Sequence, residues 1–233
     1  HVRIKSRDSY EVRSLLAARE VLVRTRVKLE NEIRGLLRTF GVLFGKAGGG
    51  FAMRAEEIVA GELDASAPMR IIVETLMQAR MAILDRIKVF DRQVLMIAKR
   101  NPATRLLMTA PGVGAITALS VASVFDDAER FKRSSSAGAY LGLTPRRYES
   151  GEVSRNGRIS KHGNQMTRKH LYEAATTLLT RTKAFSTLKA WGLKLAKVAG
   201  FKKARVAVAR KLAVILHAMW KTNTPFRWSA VAA

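Results

Sequence analysis

The chain has 233 residues, 48% of them hydrophobic, which is enough for one large or two modest cores and excludes a disordered polypeptide. It contains no cysteine, so disulfides and thiolate metal sites are excluded and a reducing cytoplasm is the expected compartment. Lys and Arg number 42 against 18 Asp and Glu, a net charge of +24 that far exceeds what solubility needs, and a polyanion is the expected partner.

The excess is uneven. Residues 1–100 carry 19 basic and 12 acidic side chains, a net of +7, whereas residues 101–233 carry 23 and 6, a net of +17. The second half is therefore expected to face the polyanion. Apolar runs such as "LAVIL" fall well short of the ~20 residues that a membrane-spanning helix needs, and the first residues lack a signal-peptide pattern, so no membrane partner is expected. With His1 in place of an initiating Met, part of the natural chain is expected to lie upstream.

In chain order, the first predicted helix covers residues 8–40, with Asp8 as its cap and Glu11 reaching back in a capping box. Leu15, Leu22, Leu29 and Leu36 recur seven apart, with Val12, Ile33 and Phe40 at the complementary positions and Arg19 and Arg26 breaking that second line. Gly41 to Pro68 is a glycine- and alanine-rich connector with room for one short helix. A second long helix follows over 69–99, where Leu76, Ile83, Phe90 and Ile97 form one line and Val73, Ile87 and Val94 the other, with Arg80 as an interruption. The expectation for residues 1–101 is an antiparallel coiled-coil arm that makes a homo-oligomer, its arginine interruptions leaving surface for partners. The alternative is a two-helix layer packed on a core.

Beyond Asn101-Pro102 a second domain is expected over 102–233, mainly α. "LLMTAPGVGAITALSVASVF" reads as helix, tight turn, helix, and resembles a helix-hairpin-helix element. Gly112 and Gly114 would let the backbone approach a phosphate at the start of the following helix. A Gly-rich turn is also a way to pack two helices closely. The residues from Arg146 to Gly163 predict a small β-hairpin or irregular loop, and three more helices follow, over 164–180, 185–199 and 203–221.

Chemistry narrows to the hairpin. The four histidines show no metal-ligand spacing, and Asp126 and Asp127 are read as helix caps. Ser150 lies among Arg146, Arg147, Arg155 and Arg158, which leaves two readings: a loop serine beside phosphate-binding arginines, or a nucleophile whose phosphoester a second DNA end can reverse. Glu149 is expected to face away or bind an arginine, and His162 is a weak candidate base. Expected phosphate contacts are Arg146, Arg147, Arg155, Arg158, Lys161, Lys202, Lys203 and Arg205. Ser134, Ser135, Ser136 and Ser154 are the next hydroxyls to consider.

The ordered blocks "LLMTAPGVGAITAL", "FKRSSSAGAYLGLTPRRYESGE", "GRISKHGN", "RKHLYEAA" and "KKARVAVARKLAVILHAM" resemble, over about residues 102–226, the C-terminal domain of the bridge-RNA-guided insertion-sequence transposases, the insertion-sequence one-ten family related to Piv-type DNA invertases. The resemblance implies that Ser150, in the "TPRRYESG" block, is the catalytic nucleophile. It implies DNA and a guide RNA as partners. It also implies an N-terminal RuvC-like domain whose four acidic residues bind magnesium. That domain is not in this sequence, so half of a composite site is expected here, inactive alone and with no metal of its own. Two further readings stay open: a non-catalytic nucleic-acid-binding helix-hairpin-helix module, and a helical scaffold, which would leave the +17 idle.

Overall fold

The computed structural model describes residues 4–44, 50–62 and 65–228. His1, and residues 45–49 and 63–64 of the expected connector, lie outside the described residues. Among the described residues the chain is mainly helical, with one two-stranded antiparallel sheet. It divides into a unit of Ala17–Gln93 and a unit of His1–Leu16 with Val94–Ala233.

Helix α1 (Arg7–Arg38) begins one residue before the expected start. Its cap is Ser6, whose Oγ accepts from the Ser9 N–H at 3.2 Å, and not Asp8, which stands in the first turn. Tertiary structure decides between the two. The Ser6 hydroxyl also donates to Asp126 at 2.6 Å, and Glu11 bonds Arg7 instead of closing a capping box.

In the unit of residues 17–93, α1 and α3 (Ala67–Arg100) run antiparallel, since Arg19 meets Asp91 at 2.6 Å and Glu30 meets Arg80 at 2.8 Å. A short helix, α2 (Phe51–Ala60), lies in the expected connector. Ile33 and Leu37 of α1, Phe51, Ala55 and Ile58 of α2, and Met69, Val73 and Met77 of α3 form one apolar core. Leu22, Leu29 and Leu36 are only half-buried and Phe40 is exposed, so the deepest line of α1 here runs through Ile33 and Leu37. The arginine interruptions are half-buried and paired. Arg80 and Arg26 converge on Glu30, and Arg19 takes Asp91 from the facing helix, so a register that pairs each arginine accommodates them.

The other unit is built around α5 (Ala115–Phe125), α7 (Gln165–Thr180) and α9 (Phe201–Thr222). Residues Thr117 to Phe125 are all buried, as expected of a helix apolar on every side. Leu171, Ala175 and Leu178 of α7 meet Val208, Leu212 and Leu216 of α9 in the same core. Helix α7 starts where Asn164 accepts from the Thr167 N–H at 2.8 Å, and α8 (Thr187–Ala199) where Ser186 accepts from Lys189 N–H at 3.1 Å. Helix α4 (Pro102–Leu107) precedes the Pro111-Gly112 turn. Gly112 has φ 79°, and a Cβ there would stand 2.3 Å from the Ala174 carbonyl oxygen, so the turn packs its backbone directly on α7.

Asp127 caps as expected, whereas Asp126 ends α5 at φ 68° and its carboxylate accepts from the Ser6 N–H and hydroxyl instead of opening the following turn. Asp127 accepts from the Glu129 N–H at 2.8 Å, opening a short 3₁₀ turn (Ala128–Arg130) ahead of α6 (Ser136–Tyr140). Burial raises the Asp126 pKa, but hydrogen bonds from Ser6 and Ser9 and the Arg130 charge outweigh it and hold the carboxyl at about 2.

Candidate nucleic-acid interface

The predicted hairpin forms from β1 (Pro145–Ser150) and β2 (Val153–Ile159). Ser150 pairs with Val153, so the connection is the two-residue loop Gly151-Glu152, and Gly151 at φ 54° supplies the positive φ that such a loop requires at its first position. Glu149 pairs with Ser154, Tyr148 with Arg155 and Arg147 with Asn156. The register then slips by one before Pro145 meets Ile159, which leaves an extra residue in β2.

Alternation places Tyr148, Ser150, Val153 and Arg155 on one face and Arg147, Glu149, Ser154 and Asn156 on the other. Ser150 is exposed at the tip, and among the described residues its hydroxyl makes no hydrogen bond. Arg155 is its diagonal cross-strand neighbour, a separation of about 7–8 Å that a long side chain spans. Glu149 turns to Arg147 on the opposite face, 3.6 Å away. His162 lies past the far end of the hairpin, roughly 16 Å along five strand residues from Ser150.

The base of the hairpin is held where the tip is free. Ser160 N–H donates to Thr144 O at 2.8 Å and Lys161 N–H to Gly142 O at 3.0 Å. Arg168 of α7 donates to the carbonyls of Leu141, His162 and Gly163 at 3.2, 2.8 and 3.1 Å. Burial lowers the pKa of this guanidinium. Arg146, at the slipped pair, donates to Ser160 O at 3.3 Å.

Four of the expected phosphate contacts come together. Arg158 and Lys161 of the hairpin base face Lys202 and Lys203 of α9 across a groove of about 1280 Å³. Arg210 and Lys211 of α9 and Trp191 of α8 complete the groove; they are not among the expected contacts, although Arg210 and Lys211 lie in the block "KKARVAVARKLAVILHAM", where Lys203, Val206, Ala207, Arg210 and Val214 recur at helical spacing. The other expected contacts lie elsewhere. Arg147 and Arg155 stand along the hairpin towards its tip, and the Arg205 guanidinium stacks on Tyr172 and Phe201, 4.7 and 5.0 Å from the ring centroids. Gly112 serves the packing on α7, whereas Gly114, ahead of α5, is exposed with open space beside it.

Among the described residues no three His, Asp or Glu side chains converge as a metal site. His217, fully buried between Phe125 and Phe131, donates from Nε2 to the Ala128 carbonyl and accepts the Ser134 hydroxyl at Nδ1, each at 2.9 Å. A carbonyl can only accept, which fixes this tautomer. Burial, with Lys221 adding to it, lowers the His217 pKa against the opposing pull of the Ala128 bond and Glu129. No described helix is long and apolar enough to cross a membrane.

A family model described as Transposase IS116/IS110/IS902 family matches residues 104–190, which include the α4–α5 turn, the hairpin and α7. The chain is 33% identical over 231 residues to the transposase for insertion sequence element IS1111A of Coxiella burnetii, an alignment covering 98% of this chain and 64% of that protein. It is 31% identical to a probable family 20 transposase of Pseudomonas aeruginosa, covering 97% of this chain and 68% of that protein. Similarity extends to the pilin gene-inverting protein of Moraxella lacunata, 28% identical over 150 residues, 61% of this chain and 45% of that protein. The chain thus spans less than two thirds of the length of the first of these relatives.

Proposed function

The chain belongs to the IS116/IS110/IS902 transposase family, and from that premise we propose that it is the part of a DNA transposase that binds DNA with a guide RNA and supplies a serine nucleophile for strand cleavage and rejoining. The observation that carries this reading is the position of Ser150. Its hydroxyl is exposed and unbonded at the tip of a hairpin whose base is clamped by Arg168, with Arg155 as its diagonal neighbour on the same face.

In the proposed step Ser150 Oγ attacks the scissile phosphorus, an Oγ–P bond forms and the bond from phosphorus to the leaving sugar oxygen breaks. Oγ loses a proton and the leaving oxygen gains one. Attack by the sugar hydroxyl of a second DNA end then reverses the step and regenerates the serine. The role of Arg155 is to meet the charge developing on the phosphoryl oxygens, as a planar donor fork suits it. The reading assigns magnesium to a RuvC-like domain beyond residues 1–233, as the family resemblance implies. Residues 1–101 are the proposed assembly element, for which the exposed apolar side chains Ile71 and Met81 are available.

The second reading, a nucleic-acid-binding module without catalysis, draws on one observation. The two candidate bases read from the sequence do not reach Ser150, because Glu149 is turned to Arg147 and His162 lies beyond the far end of the hairpin. Covalent trapping on a suicide DNA substrate, with the complete transposase, its RNA and magnesium, separates the two. A serine adduct that maps to Ser150 supports the first. Salt-sensitive binding without an adduct supports the second.

A further inference from the structure

The groove between the hairpin base and α9 has two chemistries that a phosphate-binding surface alone does not need together. Its rim carries Arg158, Lys161, Lys202, Lys203, Arg210 and Lys211, with no carboxylate among the lining residues. None of these cations is ion-paired among the described residues, and all six are exposed. The floor is apolar, formed by Pro145, Ile159, Trp191, Val206 and Ile215. Lys211 lies 3.9 Å above the Trp191 ring, so cation and ring belong to the same wall.

A duplex presents phosphates and keeps its base faces stacked inside, so it would satisfy the rim and leave the floor uncovered. An acidic protein segment would meet the cations, but nothing in the floor is built to take its backbone, since the lining holds Asn156 as its one uncharged polar side chain. A single nucleic-acid strand answers both features, with phosphates on the cations and unstacked bases against the apolar surface. At about 1280 Å³ the groove exceeds the ~300–1,000 Å³ of a site for one small ligand. Resting on the nucleic-acid reading above, we propose that this groove takes a single strand base-first, the bases packing on the floor between the hairpin and α9. The same hairpin carries Ser150 at its other end, so a strand lying in the groove is held by the element that bears the nucleophile.

The test is binding of this chain to fluorescein-labelled oligothymidylate and to an oligomer of the same length and charge in which every base is replaced by an abasic tetrahydrofuran unit. Equal phosphates cancel the rim. The base-bearing strand is expected to bind at least about tenfold more tightly. Ala207→Trp, which fills the floor and removes no cation, is expected to erase that preference, with circular dichroism checking the helix content of the variant. Oligouridylate run in parallel assigns the groove to DNA or RNA by the size of its own preference over the abasic strand. Equal affinity of the wild-type chain for base-bearing and abasic strands overturns the base-first groove and leaves phosphate binding standing. Failure to bind any of the oligomers at low salt overturns both.

Discussion

Arginines in the two units are used in opposite ways. In residues 17–93, Arg19, Arg26 and Arg80 interrupt apolar lines, and each is met by a carboxylate, Asp91 for the first and Glu30 for the other two. Around the hairpin and α9, Arg158, Arg210 and the neighbouring lysines surround a groove with no acidic side chain at all. The first set is charge neutralised inside the protein, where it fixes the register of two long helices. The second is charge left without an internal counterion, which is what binding to a polyanion requires. A count of basic residues does not distinguish them; the partners do.

The sharpest way to break the comparison is at the hairpin tip. Ser150→Ala removes one exposed hydroxyl that makes no internal hydrogen bond, so stability is expected to change by at most about 1 kcal/mol. Covalent adduct and strand exchange by the complete transposase are expected to vanish, because alanine cannot form the phosphoester. Retained adduct in the variant, read by denaturing electrophoresis of labelled DNA, would move the nucleophile to Ser154 or to another serine. Ser134 is a poor substitute, since its hydroxyl is committed to His217.

The next largest effect is on salt dependence. Each neutralised phosphate adds about −0.9 to the log–log slope for B-DNA, so six contacts give roughly −5. The double substitution Lys202→Ala, Lys203→Ala is expected to flatten the slope by about two contacts' worth, or roughly 1.8. Arg26→Ala is expected to leave it unchanged, because that guanidinium is turned to Glu30. If Arg26→Ala flattened the slope as much as the lysine pair, the division into paired and available charge would fail.

A third test addresses the paired charge. Arg80→Met leaves Glu30, only 13% exposed, with Arg26 at 3.6 Å as its remaining partner. The expected loss is about 2 kcal/mol, below the ~3–5 kcal/mol seen when a fully buried pair is broken, because part of Glu30 still reaches water. Adding Glu30→Gln should recover much of the loss, and chemical denaturation of the four variants of the cycle measures the coupling. Additive losses would mean that the pair does not hold the register.

Much of this fold was legible because its signals are local. The hairpin expected between Arg146 and Gly163 and the helices expected over 164–180 and 203–221 form from residues close to one another in the chain. What escaped was set by distant partners. Asp8 and Glu11 compose a reasonable capping box, yet Ser6 wins because Asp126 bonds it from 120 residues away. Arg80 reads as a break in an apolar line until Glu30 is placed opposite by the antiparallel register. The groove was half visible: Lys202 and Lys203 stand out as a cluster, whereas Trp191, Arg210 and Lys211 gain their place only when α8 and α9 fold against the hairpin base. Arg168, the clamp of that base, opens the block "RKHLYEAA", but which carbonyls it would hold was not legible there.

The smallest expected effect concerns a polar group that is neither paired with a counterion nor left to solvent. His217 is neutral among aromatic rings, with Nε2–H on the Ala128 carbonyl and Nδ1 holding the Ser134 hydroxyl, and burial lowers its pKa below the ordinary 6.5. In the unfolded chain the imidazole takes its proton near the ordinary value, so below that pH the unfolded state binds the proton that the folded state refuses. Stability from this group is therefore whole above about pH 6.5 and is lost as the pH falls from there towards the lowered folded value. The lowered Asp126 carboxyl does not confuse the window, because its contribution is lost only between the ordinary 3.8 and about 2. A tenfold difference in proton affinity between the folded and unfolded chain corresponds to about 1.4 kcal/mol, or some 3–5 °C of melting temperature for a domain of this size, spread over the acid side of neutrality. His217→Gln is expected to lower the melting temperature at every pH through lost ring packing, and also to flatten its fall between pH 7.5 and 5.5. The slope and not the absolute value carries the test: equal slopes in wild type and variant would show that the acid loss comes from other groups and that His217 is held for packing alone.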